Sequence, residues 1–398
     1  MSSHEHMYEI DVRERSFFMQ GTEEQSAPVR LGVFLSNAHK MILKRKVKDH
    51  KRYRFMELLA SEAAKAGDTV IFFSPEDVVM GENIIKNALY YDIQAKKWKL
   101  MDSPLPTVVY ERIYTRNGLV TKVRRGFKGK GIPSINNQAS FDKYDTYKKL
   151  QGIEKAAPYL PPTINVHSFN DIRRFLLKYK TVYLKKVHSS LGKGVVKVQY
   201  RNSRSFEFSH FRSRLRNRSV SNMNKLKRPL SQFFKKKKFI AQQAIDLITL
   251  NGCNVDFRAE VQRTGEQITI GGIAARVGLK RSPITVHSTA MPAEIFFESE
   301  LGYSEKKVKE VVDEIEAFLK TIYFSLEEAY GNFGEIGIDF GIDNKGRIWL
   351  IEANSKSAKV SFEKSYGQDG LKENAGNLLK YARYLTEGSA EKNEAMHL

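Results

Sequence analysis

Cysteine is almost absent from this chain: Cys253 is the only one in 398 residues. A single cysteine excludes an intramolecular disulfide and any metal site built from several thiolates. Long apolar runs are also missing, since no stretch approaches the roughly 20 apolar residues that a membrane-spanning helix needs. The N-terminal segment is charged and lacks the apolar core of a signal peptide. We therefore expect synthesis in the cytoplasm and no membrane partner.

Acidic residues are also fewer than basic ones. The chain has 45 Asp and Glu against 66 Lys and Arg, for a formal net charge of +21. Such an excess attracts polyanions, whether nucleotides, nucleic acid or acidic polymers, and does not choose among them. Hydrophobic residues make up 41% of the chain, which at this length predicts two or three lobes with cores of their own.

The first part of the chain predicts an α/β domain at 29–137, after a polar tail at 1–28. A buried strand, a helix ended by Gly67 and a second strand follow one another, which is typical of a parallel βαβ unit. We predict the strands of this domain at 29–36, 68–75, 106–113 and 132–137, and its helix at 51–66.

Two further lobes are predicted at 138–238 and 239–386, followed by a frayed tail at 387–398. The first of them contains two helices and two strands that flank a loop, and Ser168 is expected to cap the second helix. The other ends in a β-hairpin. We predict the helices at 141–153, 168–179 and 304–330, the strands around the loop at 181–187 and 195–200, and the hairpin at 335–343 and 347–354.

The last hairpin carries candidate metal ligands. Asp339 and Glu352 lie on its two strands, and Asn354 follows Glu352 by two residues, so that both project from the same face. Two carboxylates and an amide oxygen form a hard-oxygen cluster suited to Mg²⁺. An exposed acidic hairpin without a metal is the alternative at this point.

The loop at 188–194 is a candidate phosphate site. Ser189, Ser190, Gly192 and Gly194 allow backbone N–H groups to approach an anion closely. Lys185, on the preceding strand, can reach phosphate oxygens as a point charge. The loop matches neither GxxxxGK[ST] nor GxGxxG, so no Walker or dinucleotide fold is indicated. An ordinary glycine-containing hairpin is the alternative.

Two weaker signals lie in the strands after residue 238. Gln242 and Gln243, in the apolar strand at 239–247, could border an adenine or simply face solvent. Arg258 and Arg276 interrupt strand-like runs, and a charge in such a run faces solvent or a site. Beside a transferring phosphoryl group an arginine stabilises developing charge, whereas a surface salt bridge is the alternative.

Taken together and in order, these segments resemble the ATP-grasp superfamily from about residue 29 to 385, and within it the YheC/YheD group of endospore coat-associated proteins. The resemblance implies an α+β ATP-grasp fold, in which two α+β lobes clasp a nucleotide, preceded by an α/β pre-ATP-grasp domain. The segments that carry it are IFFSPEDV, PLPTVVYERI, FDKYDTYKKL, LPPTINVHSFNDIRRFLLKYKTVYLKK, SSLGKGV, FIAQQAIDL, VDFRAEVQ, GGIAARVG and IGIDFGIDNKGRIWLIEANSK.

The resemblance also implies roles for individual residues, with ATP and Mg²⁺ (Mn²⁺ as the alternative) as cofactors. Family enzymes activate a carboxylate as an acyl phosphate, which an amine or another nucleophile then attacks. By position, the phosphate contacts are Lys143, Lys185 and the loop residues Ser189, Ser190, Gly192 and Gly194; the adenine border is Gln242, Gln243 and Ile245; the ribose contact is Asp256; the catalytic arginines are Arg258 and Arg276; and the metal ligands are Asp339, Glu352 and Asn354.

The chain departs from the family pattern mainly on the acceptor side. Lys185-Lys186 replaces a usual Lys-Pro, His287 stands where an Asn is usual, and the segment 355–358 replaces a Pro-Gly. His287 is either a catalytic base or a hydrogen-bonded structural histidine. The leading hypothesis is an ATP-dependent ligase of the carboxylate–amine or carboxylate–thiol type with unknown substrates, associated with sporulation. The alternative is a non-catalytic coat protein that keeps the fold.

A basic insertion is predicted at 201–238. It contains 13 Lys and Arg residues, whereas Glu207 is its only acid. One interpretation is binding of a polyanion, either nucleic acid or an acidic coat polymer, and such a segment could also hold the protein against coat proteins. The other is a solvated insertion that is partly helical at LSQFFKKKK.

Overall fold

The computed structural model describes residues 28–45, 51–114, 117–189, 194–202, 205–211, 214–235, 237–280, 282–285 and 289–395. Almost all of the predicted N-terminal tail lies outside these residues. The strands in these described ranges form three six-stranded sheets. Within the described ranges, no helix combines the length and the apolar composition needed to cross a bilayer.

The first sheet is built on the predicted parallel βαβ unit, which is confirmed. Its central strand β1 pairs in parallel with β2 and β6. The helices α1 and α2 carry the chain back between β1 and β2, so that these two strands run in the same direction. Three further strands, β3 to β5, which the sequence did not reveal, follow β2 in the chain and extend the sheet beyond β2. The elements are β1 (Arg30–Phe34), α1 (Asn37–Lys44), α2 (Lys51–Lys65), β2 (Thr69–Phe73), β3 (Val78–Val79), β4 (Ile84–Asp92), β5 (Lys97–Pro104), β6 (Val108–Glu111) and α3 (Gly118–Gly129).

The prediction of a strand at 132–137 is wrong. The segment is extended, but within the described residues it makes only single bridges, Val109 to Ser134 and Asn136 to Phe333. Pro133 has no N–H for a ladder. The side chain of Asn136 donates to the backbone of Glu335 at 3.0 Å and of Ser355 at 2.7 Å, so the segment ties the first sheet to the last hairpin instead of extending a sheet.

The second sheet is antiparallel, in the order β11-β10-β9-β8-β12-β7. Ser168 caps α5 as predicted, by accepting from the Asp171 N–H. The helices α5 and α6 cover one face of the sheet in a shared apolar core, which leaves the other face available to the third sheet. The elements are α4 (Lys143–Gln151), β7 (Thr163–Asn165), α5 (Phe169–Tyr179), β8 (Thr181–Lys186), β9 (Val195–Asn202), β10 (Ser205–Phe211), β11 (Leu215–Val220), α6 (Asn224–Phe234) and β12 (Phe239–Gln243).

The third sheet runs in the order β16-β15-β14-β17-β18, with β13 on β14. The predicted hairpin is its last pair of strands, and the long helix α8 packs against the sheet through Phe318 and Phe340. The elements are β13 (Thr249–Leu250), β14 (Cys253–Arg263), β15 (Ile268–Val277), β16 (Thr289–Pro292), α7 (Ala293–Ile295) with a wider helical turn at Phe296–Glu300, α8 (Glu305–Tyr330), β17 (Glu335–Ile342) and β18 (Ile348–Asn354).

The chain ends in a helix, α9 (Val360–Ala395), which has a break at Gly367 (φ 63°). It returns to the first sheet: Phe362 and Tyr381 share an apolar core with Val33 and Phe72. It also contacts strands of the third sheet. The helix α9 therefore connects the first sheet with the third sheet. It continues to Ala395, into the segment that was predicted to be a frayed tail.

Candidate functional site

A pocket that is open to solvent lies between the second and third sheets. Part of its wall is apolar and includes Phe141, Tyr147, Leu150, Leu160 and Pro161. Another part is polar and consists of Lys143, Lys185, Gln242 and Glu352. A wall that offers both apolar side chains and ammonium groups suits a ligand with a flat ring and an anionic tail.

Lys185 projects from β8 into this pocket. Its Nζ donates to Gln242 Oε1 at 2.5 Å, and Gln242 in turn donates to Thr163 Oγ1 at 2.9 Å. Desolvation, with a contribution from the nearby Lys143 ammonium, lowers the pKa of Lys185 to about 8, against the opposing attraction of Glu352. A cation held in this way favours an anionic ligand, which would restore its charge.

Lys143 connects three parts of the site. It begins α4, whose first turn is capped by Asp142. Its Nζ donates to Glu352 Oε1 at 2.5 Å and to the backbone oxygen of Ser189 at 3.1 Å. The lysine thus places the predicted phosphate loop and the last hairpin around one ammonium group.

The base of the predicted phosphate loop is closed by a backbone bond from Lys186 N–H to Gly194 O at 2.9 Å. A Cβ on Gly194 would stand 2.3 Å from Ser189 Oγ, so any larger residue here would displace the Ser189 side chain. The predicted residues Ser190 and Gly192 lie outside the described residues.

The charged residues of the third sheet form a cluster beside Glu352. Arg258 on β14 binds both oxygens of Asp339 on β17, at 2.6 and 2.7 Å. Arg276 adds a contact to Asp339 at 2.9 Å. Burial alone would raise the pKa of Asp339, but the two guanidinium groups outweigh burial and lower it to about 2. The carboxylate is therefore ionised throughout the physiological range.

The three predicted metal ligands are adjacent. Asp339 lies opposite Glu352 in the register of the hairpin, and Asn354 Nδ2 donates to Asp339 Oδ2 at 3.2 Å. Two carboxylates and one amide oxygen fit a hard divalent cation. Arg258, Arg276 and Lys143 bind these carboxylates in the structure. Across the described part of the chain, no group of three or more His, Cys, Asp or Glu side chains could hold a metal by itself.

Asp256, predicted to contact ribose, lies two residues before Arg258 on the same face of β14. It accepts from Arg276 Nε at 2.6 Å and from Thr285 Oγ1 at 2.5 Å. Burial raises its pKa, although Arg276 opposes the change. In this arrangement Asp256 orients Arg276 toward Asp339. The other predicted adenine residues, Gln243 and Ile245, are half-buried at the end of β12 and just after it.

The polar face of β14 continues away from the pocket as a buried ionic network. Lys359 binds Glu260 at 3.2 Å and Glu335 at 3.0 Å. Glu335 also binds Arg112, which follows β6 of the first sheet, at 3.2 Å. Ser357 joins this network to the site, because it receives a bond from Arg258 at 3.3 Å and donates to Glu260.

The segment after Asn354 is anchored to the first sheet. Lys356 donates to Glu111 Oε1 at 3.1 Å and to the Ile113 carbonyl at 2.5 Å. Burial lowers the pKa of Lys356 to about 8, against the attraction of Glu111. The residues that replace the family's Pro-Gly are thus part of a contact between lobes. His287, the other acceptor-side departure, lies outside the described residues.

The sequence did not point to Tyr183 or Lys197, which face the same side of the second sheet as Lys185. Tyr183 lies directly opposite Lys197 and Gln242 in the strand register. Burial and the charge of Asp256 raise the pKa of Tyr183 to about 12. Alternation along β8 from Lys185 would have identified Tyr183, because residues two apart share a face.

D-alanine–D-alanine ligase from Coxiella burnetii superposes with a TM-score of 0.54, covering 93% of this chain and 98% of that one at 10% identity. That likeness concerns the fold, which is the α+β ATP-grasp fold. A family model described as YheC/D like ATP-grasp matches residues 131–385. The chain belongs to this family of ATP-grasp proteins.

Two relatives from Bacillus subtilis (strain 168) are similar over most of their length. Endospore coat-associated protein YheD is 27% identical over 364 residues, which cover 89% of this chain and 78% of YheD. Endospore coat-associated protein YheC is 24% identical over 320 residues, which cover 76% of this chain and 84% of YheC. Both the predicted superfamily and the predicted group are thereby confirmed.

Proposed function

We propose that this protein is an ATP-dependent ligase of the carboxylate–amine type, and that it acts in association with the endospore coat. The observation that carries the proposal is the meeting of Lys143, Lys185 and Glu352 in the wall of one pocket, beside Arg258 and Arg276. Positive side chains from two lobes converge there, as positioning of a triphosphate requires. The relatives' names support the coat association, and the fold neighbour's name supports ligase chemistry.

In this proposal each part of the site has one task. The apolar part of the wall, which includes Tyr147 and Leu160, receives the adenine, and Lys143 and Lys185 hold the phosphates. Asp339, Glu352 and Asn354 would hold Mg²⁺ or Mn²⁺, which when bound neutralises phosphate charge. Binding of the triphosphate would draw Arg258 and Arg276 from Asp339 toward the reacting group.

The reaction proposed is a two-step transfer. A substrate carboxylate oxygen attacks the γ-phosphorus of ATP, and the bond to the β-phosphate oxygen breaks, which releases ADP and leaves an acyl phosphate. An amine then attacks the acyl carbon, phosphate leaves with the bonding electrons, and the nitrogen loses a proton. The arginines stabilise the charge that builds on the phosphoryl oxygens in both steps.

The test is ADP release from ATP and Mg²⁺ in the presence of pooled amino acids and short peptides, with hydroxylamine added to trap an activated carboxylate. We expect carboxylate-dependent ADP release and a hydroxamate product. Lys185→Met should abolish both ADP release and hydroxamate formation. Lys186→Met is the control and should retain both, because Lys186 lies on the opposite face of the same strand, against Phe233. Nucleotide binding without any ADP release would contradict the ligase proposal and favour a non-catalytic coat protein.

A further inference from the structure

The strand β11 forms an edge of the second sheet. Strands β10 and β9 separate it from β8, the strand that carries Lys185 into the pocket. The hairpin β10–β11 extends the sheet beyond β9, and β11 pairs only with β10 among the described residues. An edge strand presents a row of N–H and C=O groups that another extended chain can pair with. The feature is independent of the proposed nucleotide site.

Arginines occupy alternate positions on this edge. Arg216 and Arg218 are exposed, and they lie opposite His210 and Phe208 in the register. Because Phe208 belongs to the core beneath α5 and α6, both arginines project from that side of the sheet. Neither has a carboxylate within salt-bridge distance in the described part of the chain. Glu207, the acid of the hairpin, projects from the other face and pairs with Arg201 at 3.2 Å.

The helix α6, on the same side of the sheet, adds to the positive charge. Lys225, Lys227 and Arg228 are exposed near its start, while Leu226 and Leu230 face the core. The apolar positions fix the helix against the sheet and leave the basic positions in solvent. Edge and helix together form a basic surface, comprising Arg216, Arg218, Lys225, Lys227 and Arg228.

Three kinds of partner could meet such an edge, and the structure favours one. Nucleic acid is disfavoured because, of the described residues in 194–238, none is a large exposed apolar or aromatic side chain on which a base could stack. A second copy of β11 would set arginines against arginines. An extended peptide with acidic residues at alternate positions would place its carboxylates about 6.6 Å apart on one face, which matches the spacing of Arg216 and Arg218.

We propose that β11 binds an extended acidic peptide segment of a partner protein as an added strand. The backbone bonds would supply the pairing, and carboxylates at alternate positions would meet Arg216 and Arg218. The surface is separate from the pocket, so a partner held there leaves Lys185 and Glu352 accessible.

The test uses fluorescence anisotropy of a labelled short peptide that alternates glutamate and valine, with the full-length protein. We expect saturable binding that weakens with salt. Arg216→Gln/Arg218→Gln should weaken it roughly five-fold, since each exposed ion pair contributes little. Lys306→Gln/Lys309→Gln on α8 removes the same charge elsewhere on the exposed surface and should leave binding unchanged. A peptide N-methylated at alternate residues should bind more weakly, because it cannot complete the strand.

Several results would overturn the proposal. Equal loss in the Lys306→Gln/Lys309→Gln control would show that net charge alone attracts the peptide. Undiminished binding of the N-methylated peptide would exclude strand addition. Tighter, arginine-dependent binding of single-stranded oligothymidylate would identify nucleic acid as the partner, and arginine-dependent dimerisation in sedimentation would identify a second copy.

Discussion

Arg258 and Asp339 lie opposite each other on β14 and β17, and the guanidinium group binds both carboxylate oxygens. The central carboxylate of the proposed metal site is therefore neutralised by the arginines proposed to contact the phosphates. A cation and the arginines compete for one group, and a triphosphate can resolve the competition because it attracts both arginines.

Metal binding is predicted to depend on nucleotide. Mn²⁺ alone should bind weakly, since it must displace Arg258 and Arg276 from Asp339 and Lys143 from Glu352. Addition of a non-hydrolysable ATP analogue should increase Mn²⁺ affinity by roughly ten-fold or more, as the phosphates engage these cations. Mn²⁺ titration followed by electron paramagnetic resonance measures both states. Equal affinity with and without the nucleotide would contradict the coupling.

The affinity for nucleotide is predicted to fall as pH rises through about 8. The folded protein lowers the pKa of Lys185 to about 8, so the ammonium loses its proton above that pH. Phosphate favours the charged form, so binding near and above pH 8 should take up a proton. Calorimetry in buffers of different ionisation enthalpy measures this uptake. Lys185→Arg keeps its charge and should remove the uptake, and a persistent signal in that variant would assign the proton to another group.

The buried network around Lys359 is predicted to be a major contributor to stability. Lys359 is 2% exposed and its partners Glu260 and Glu335 are fully buried. Lys359→Met leaves those carboxylates without their shared cation and should lower the free energy of unfolding by about 3–5 kcal/mol. Lys372→Met breaks an exposed pair with Asp369 and should leave the free energy of unfolding essentially unchanged. Urea denaturation measures both, and similar midpoints for the two variants would contradict the prediction.

The sequence predicted well what depends on local pattern. The cap at Ser168, the parallel pairing of β1 with β2 and the final hairpin each follow from neighbouring residues, and the structure has all three. The hairpin register then places Asp339 beside Glu352, so the adjacency of the proposed metal ligands also followed from periodicity. Their role stays a prediction.

The features that the sequence did not reveal depend on contacts between distant segments. No local pattern indicated that α9 returns to the first sheet, because Phe362 and Tyr381 acquire their apolar partners only in the folded chain. Arg258 could be recognised as unusual for a strand, but its pairing with Asp339 required the order of β14 and β17. Likewise, the basic insertion showed its charge but not that β10 and β11 would extend a sheet.

The central claim is that one nucleotide is held by side chains from both sheets. Calorimetric titration with a non-hydrolysable ATP analogue and Mg²⁺ tests it with Lys185→Met from the second sheet, Glu352→Gln from the third, and Lys186→Met as the control on the other face of β8. We predict one site per chain, affinity reduced roughly ten-fold or more in each of the first two variants, and no appreciable change in the control. Unchanged affinity in either Lys185→Met or Glu352→Gln would contradict the claim.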